Sequence, residues 1–169
     1  EATLPSISVT ALSPAAMAVT YAALKARVTA EVETGASLTI GRNLTVEAKN
    51  EATLGAAAIA MSAGQTLADL ALAVGTADIE TKAIVSSGAT VTLSSSLSNV
   101  RVSAINENAF STSATAMSVS GGMVGLSLAY SDINASAEAR LGASLGGSGN
   151  RVGTVTVEAL SDTSKNSTS

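Results

Sequence analysis

Apolar and polar residues alternate along most of this chain. Ile7-Ser8-Val9-Thr10-Ala11 and Thr115-Ala116-Met117-Ser118-Val119 show the pattern, and Ala77-Asp78-Ile79-Glu80-Thr81-Lys82-Ala83-Ile84-Val85 places mostly apolar residues at its odd positions. A period of two predicts strands with one face buried. Three longer segments of this kind are expected, roughly over 17–33, 67–86 and 123–141. Tyr21–Val32 and Leu67–Ala73 are also rich in good helix formers. No capping box or glycine-terminated stripe of helical period accompanies them, and alternation with β-branched residues decides for strand. Breaks are predicted at Pro14, at Gly64 and at Gly121-Gly122, where proline presets φ or glycine permits φ > 0.

The pattern recurs. Gly35-Ala36-Ser37-Leu38, Gly88-Ala89-Thr90-Val91 and Gly142-Ala143-Ser144-Leu145 are copies of one motif. Each leads to a second: Leu44-Thr45-Val46-Glu47-Ala48, Val100-Arg101-Val102-Ser103-Ala104 and Val155-Thr156-Val157-Glu158-Ala159. The polar stretches between them (Gly41-Arg42-Asn43, 94–99 and 146–151) vary in length and letters, as exposed corners do. The period is roughly 50 to 56 residues. Taking Glu1, Glu51 and Glu107 as starts gives units 1–50, 51–106 and 107–161, with 162–169 beginning a further unit.

One unit of about four short strands cannot bury enough surface to fold alone. Stacking the units pairs each strand with its equivalent at ~4.8 Å and satisfies the backbone. The expected fold is all-β, a repetitive β-solenoid (parallel β-helix) of about three units. Val46, Val102 and Val157 should form one column, Ala48, Ala104 and Ala159 a second, and Asn50 with Asn106 an amide ladder. Each unit makes one wide coil or two narrower ones, and one wide, flattened coil is the preferred form. No polar cap is visible at either terminus, so the array is expected to be uncapped.

Composition sharpens this picture. Apolar residues are 46% of the chain, but aromatics are 2%, namely Tyr21, Phe110 and Tyr130. A core of small side chains packed to crystal-like density must be thin. The net charge of −4 is mild and dispersed, which argues against a nucleic-acid partner. Cysteine and histidine are absent, which removes disulfides, thiolate metal sites and the commonest general base. No run approaches the ~18 apolar residues of a spanning helix. Glu1-Ala2-Thr3-Leu4 has no signal-peptide character and recurs as Glu51-Ala52-Thr53-Leu54, so the chain reads as a piece of something longer.

Several residues resemble a known family. Val46-Glu47-Ala48-Lys49-Asn50-Glu51-Ala52-Thr53-Leu54, then Lys82-Ala83-Ile84-Val85, Gly88-Ala89-Thr90-Val91 and Val100-Arg101-Val102-Ser103-Ala104 resemble the repeats of giant bacterial surface exoproteins. These are the filamentous-haemagglutinin-like and leukotoxin-like filamentous adhesins. The likeness covers units two and three; unit one departs from it at Pro5 and Pro14. It implies an extracellular, elongated β-solenoid that spaces or presents adhesive regions, and it supplies no catalytic residues.

Catalytic chemistry has few carriers. Glu31 with Glu33, and Asp78 with Glu80, are spaced to share a strand face, as a polysaccharide-acting β-helix enzyme would require. A solvated face, with Lys82 as counter-charge, is the simpler reading. Gly146-Gly147-Ser148-Gly149-Asn150 begins like a calcium-binding nonapeptide but lacks its aspartate and occurs once; it reads as a corner. Asp132 and Asn134 would make only a weak cation site. The sequons at Asn43, Asn134 and Asn166 are at chance level, and Met17, Met61, Met117 and Met123 read as gap fillers. An outer-membrane β-barrel segment is the rival fold, with Gly122–Tyr130 as a candidate strand, but three aromatics cannot make two girdles.

The expectation is therefore a structural or adhesive segment of a long extracellular or cell-surface fibrous protein, without enzymatic activity, cofactor or metal. Its partner is more of itself, along the chain or by end-to-end stacking, with a host or neighbouring-cell surface as a further partner. Neither nucleic acid nor membrane insertion is expected.

Overall fold

A computed structural model describes residues 2–3, 7–12, 16–62, 68–118, 124–147 and 149–169. Among the described residues there are twelve strands and no helix. In chain order they are β1 (Ala2–Thr3), β2 (Ile7–Leu12), β3 (Met17–Val32), β4 (Ser37–Ile40), β5 (Asn43–Ser62) and β6 (Ala68–Val85). Then follow β7 (Thr90–Leu93), β8 (Ser98–Ser118), β9 (Val124–Leu141), β10 (Ser144–Gly146), β11 (Val152–Asp162) and β12 (Ser167–Thr168). The segments that left helix open, within 21–32 and 68–73, lie in β3 and β6. The expected breaks at Pro14, Gly64 and Gly121-Gly122 fall outside the described residues.

The strands form three sheets. One has the order β1-β5-β8-β11, with β2 also on β5 and β12 also on β8; a second is β3-β6-β9, and a short third is β4-β7-β10. Every described pairing is parallel. Membrane barrels pair their strands antiparallel, so the rival fold does not match. The chain instead visits the three sheets in turn and comes back beside itself after roughly 49 to 56 residues. The arrangement is consistent with a parallel β-helix.

The register joins the motifs read from the sequence. Val46 pairs with Val102 and Val102 with Val157, Ala48 with Ala104 and Ala104 with Ala159. Gly35 donates its backbone N–H to the carbonyl of Gly88 at 3.1 Å, so the glycine corners also lie over one another. The strand count per circuit differs from the four short strands expected. Glu51 and Glu107 are register partners in the middle of β5 and β8. No Gly or Pro interrupts the alternation Leu44, Val46, Ala48, Asn50, Ala52, Leu54, so closing and opening segments fuse into one long strand. A circuit has two long sides and one short one.

The inner faces of the two long-stranded sheets pack directly together. Near the starts of β3 and β6 the apolar interior is alanine, with Ala18, Ala71 and Ala73 against Ala58, Ala60 and Ala114, and Asp69 is buried beside it, accepting from Ala16 N–H at 3.4 Å. Thr20 Oγ1 there reaches the carbonyl of Ala57 in the facing sheet at 2.9 Å. The middle holds Leu24, Leu54, Ile79 and Phe110, and the end beside the short sheet holds Val46, Val85 and Val102. Alternation turns Gly75 inward, where a Cβ would come within 2.6 Å of Thr112 Oγ1. The core is thin, as the scarcity of aromatics requires.

Candidate functional surfaces

The interior is mostly small and apolar, with a few buried polar residues such as Asn50, Asp69 and Asn106, and the ion pairs lie on the outer faces. On β6, Asp78 and Glu80 do share the outer face. Neither carboxylate stands free. Asp78 lies 3.7 Å from Lys25 Nζ and accepts from Asn134 Nδ2 at 3.2 Å. Glu80 takes Arg27 at 2.6 Å and also contacts Lys82. The hydrogen bond from Lys82 and the charge of Arg27 hold the Glu80 carboxyl below the usual glutamate range. A general acid needs the opposite shift.

Glu31 and Glu33, the other pair, are both exposed at the end of β3. Glu31 faces outward near the end of β3 and accepts from Ser86 Oγ at 3.1 Å. Glu33 lies beyond the strand, in the corner that its carbonyl closes with Ala36 N–H. The strand ends at Val32, one residue short of Glu33.

The outer face of the β5–β8–β11 sheet carries its own ladder. Lys49 contacts Glu51 and lies 3.7 Å from Glu107, while Arg101 meets Glu158 at 3.3 Å. The hydrogen bond between Lys49 and Glu51 raises the lysine pKa and lowers that of the glutamate. A shallow recess of about 350 Å³ crosses this face between Asn43, Thr45, Asn99, Arg101, Thr154 and Thr156. Its asparagines serve the backbone: Asn43 Oδ1 accepts from Asn99 N–H at 3.3 Å, and Asn99 Oδ1 from Thr154 N–H at 3.0 Å.

The calcium-like corner behaves in the same way. Asn150 Nδ2 donates to the Leu93 carbonyl at 2.7 Å, and its Oδ1 accepts from Ser96 Oγ at 3.2 Å. The corner is fastened to the preceding one; Ser148 lies outside the described residues. Asn134 is occupied with Asp78, and no group of three His, Cys, Asp or Glu positioned for a metal occurs among the described residues. Asn166, at the third sequon, accepts from Phe110 N–H at 3.0 Å, replacing a strand carbonyl where β11 and β12 are interrupted.

The methionines were expected as gap fillers, and two of them are not. Met17 and Met117 are 66% and 51% exposed, because alternation turns their positions outward; Met123 is outside the described residues. Met17 belongs to a feature the sequence reading missed. On the outer face of β3-β6-β9, Met17, Val19 and Tyr21 lie beside Leu70, Leu72 and Val74, which lie beside Leu126, Leu128 and Tyr130. The large apolar side chains here point to solvent and the alanines point inward. Its signal is the alternation of large with small residues, as in Leu70-Ala71-Leu72-Ala73-Val74. Further along the same face the charges begin: Lys25, Arg27 and Glu31 on β3, Asp78, Glu80 and Lys82 on β6, Asp132, Glu138 and Arg140 on β9.

No helix among the described residues is long and apolar enough to cross a membrane. Comparison with family models, with curated proteins and with solved structures returns no match.

Proposed function

We propose that this chain is a β-solenoid segment of a long extracellular or cell-surface fibrous protein, with structural or adhesive duty and no catalytic one. In this reading units 1–50, 51–106 and 107–161 are successive coils, and 162–169 starts another. The array continues along a larger chain or stacks on copies of itself. The observation that carries the reading is the in-register column Val46–Val102–Val157, with its companion Ala48–Ala104–Ala159. Identical layers exert the same demand on the layer above and below, which is the physics of a rod. Of the carboxylates weighed for catalysis, Asp78 and Glu80 are engaged in ion pairs between strands, and the resemblance to filamentous adhesin repeats points the same way.

Negative-stain electron microscopy of the chain tests this. Short rods, or long fibres of regular subunits, are expected; compact particles without a long axis would overturn the solenoid. Incubation with a panel of polysaccharides should give no cleavage. Cleavage that Asp78→Asn abolishes would overturn the non-catalytic assignment.

A further inference from the structure

The outer face of the β3-β6-β9 sheet is divided in two. Near the strand starts it is purely apolar, exposed along both edges (Met17 66%, Tyr21 62%, Leu126 61%, Leu128 57% and Tyr130 55%) and half-buried along the middle row Leu70, Leu72 and Val74. The chain has two tyrosines, and both are here. Nine outward positions at ~4.8 Å by ~6.6 Å make a patch on the order of 300 Å², the size at which exposed apolar surface is commonly functional. Tyrosine and methionine are also residues enriched at protein interfaces. The rest of the face carries both signs of charge in near balance, namely Lys25, Arg27, Lys82 and Arg140 against five carboxylates.

We propose that this face pairs side by side with the same face of a second copy of the chain, about a two-fold axis running along β6. Patch then covers patch, β6 lies over β6, and β3 of each copy lies over β9 of the other. Leu72, at the middle of the patch, meets its own counterpart on the axis. Glu31 of one copy comes over Arg140 of the other, since the two occupy one column at opposite edges of the sheet. Asp78, Glu80 and Lys82 approach their own counterparts, but each is already neutralised within its face, by Lys25, Arg27 and Glu138.

The area is sufficient. Three strands of 16 to 18 residues span about 55 Å by 14 Å, on the order of 800 Å² per partner, which is what a standard stable complex buries. A closed two-fold pairing uses one patch twice and stops at two. The charge balance selects this occupant over a lipid surface, because anionic headgroups are held by an excess of Lys and Arg that this face lacks. The pairing is lateral, so it is independent of whether the chain stacks along its axis.

Sedimentation velocity and cysteine cross-linking test it. The wild type should shift from monomer to a dimer limit as concentration rises, and Leu128→Lys should stay monomeric with an unchanged far-ultraviolet circular dichroism spectrum. The chain has no cysteine, so on mild oxidation Leu72→Cys should give covalent dimers, whereas Thr115→Cys, on the outer face of β8, should not. A wild type monomeric up to ~10⁻⁴ M, association that survives Leu128→Lys, or equal cross-linking by both cysteines would overturn the proposal. Monomers that co-float with phosphatidylcholine vesicles would overturn it too, and would give the face to lipid. Leu128→Lys should still appear as rods in the microscope, so failure of lateral pairing and failure of the solenoid reading are told apart.

Discussion

Asn50 donates through Nδ2 to Oδ1 of Asn106 at 3.1 Å, and the two residues are 56 positions apart in the chain. Both side chains are buried, at 2% and 0% exposure, in the middle of β5 and β8. An amide is tolerated there because its strand partner presents an amide at the same place. Asn106 Nδ2 also reaches toward the Ser136 carbonyl in the facing sheet at 3.5 Å. The ladder therefore fixes the register of β5 on β8 as well as satisfying itself, since a slip of one residue would turn one strand's amide outward and leave the other buried without its partner.

Removing one side of that pair leaves a buried polar group without its partner. Asn106→Ala should cost about 1–3 kcal/mol of unfolding free energy. The double variant Asn50→Val with Asn106→Val should cost less than the sum of the two single variants, because no orphaned amide remains. Urea denaturation of the four proteins measures this, and additive losses would show that the amides do not depend on each other.

The valine column predicts a gradient. Val102 is fully buried between Val46 and Val157, whereas Val157, on the outermost strand β11, is 48% exposed. Val102→Ala should lose about 2 kcal/mol and Val157→Ala less than half of that. Enlarging the alanine end should be no gentler: Ala60→Leu, at 0% exposure, should cost about 1–3 kcal/mol through overpacking. Thermal and chemical denaturation compare the three, and a tolerated leucine at 60 would mean that the sheets are further apart than described.

Leu97 sits at a corner with φ of 64° and 74% exposure. A non-glycine side chain in the left-handed region is disfavoured, and this one is too exposed to recover much by packing. Leu97→Gly should stabilise the chain, or at worst leave it unchanged, with a gain of up to ~1 kcal/mol. A lower melting temperature would show that the Leu97 side chain makes contacts worth more than the backbone preference.

Acid should weaken the fold modestly. Glu80 is held below its ordinary pKa first by the Lys82 hydrogen bond, Glu51 by Lys49 and Asp162 by Ser164. A carboxylate whose pKa is lower folded than unfolded stabilises the fold above its unfolded pKa, and that contribution is lost as pH falls through the folded value. The loss should thus begin below pH 4.5, the ordinary glutamate value, and be small because all three groups lie at the surface, Glu51 exposed and Glu80 and Asp162 partly so, where solvent and salt screen them. Melting temperature followed from pH 6 to pH 2.5 (roughly the span of carboxylate titration) should fall less for Glu80→Gln than for wild type. An identical fall would remove the Arg27–Glu80–Lys82 cluster from the account.

The sequence alone determined the strands and their equivalences. Alternation with β-branched residues fixed β3, β6 and β9 almost to the residue, and the repeated glycine and valine motifs announced which positions would lie over one another. Both are local signals: side-chain period follows from backbone geometry, and like sequences adopt like conformations. Asp78 with Glu80 was also legible, since residues two apart within one strand share a face. Which face of each strand turns inward was settled only by tertiary structure. Leu70-Ala71-Leu72-Ala73-Val74 alternates large with small, and either set can be buried. Two sheets close enough for Thr20 to reach the Ala57 carbonyl admit only the small set, so the leucines, the tyrosines and Met17 are left outside, where a partner can find them.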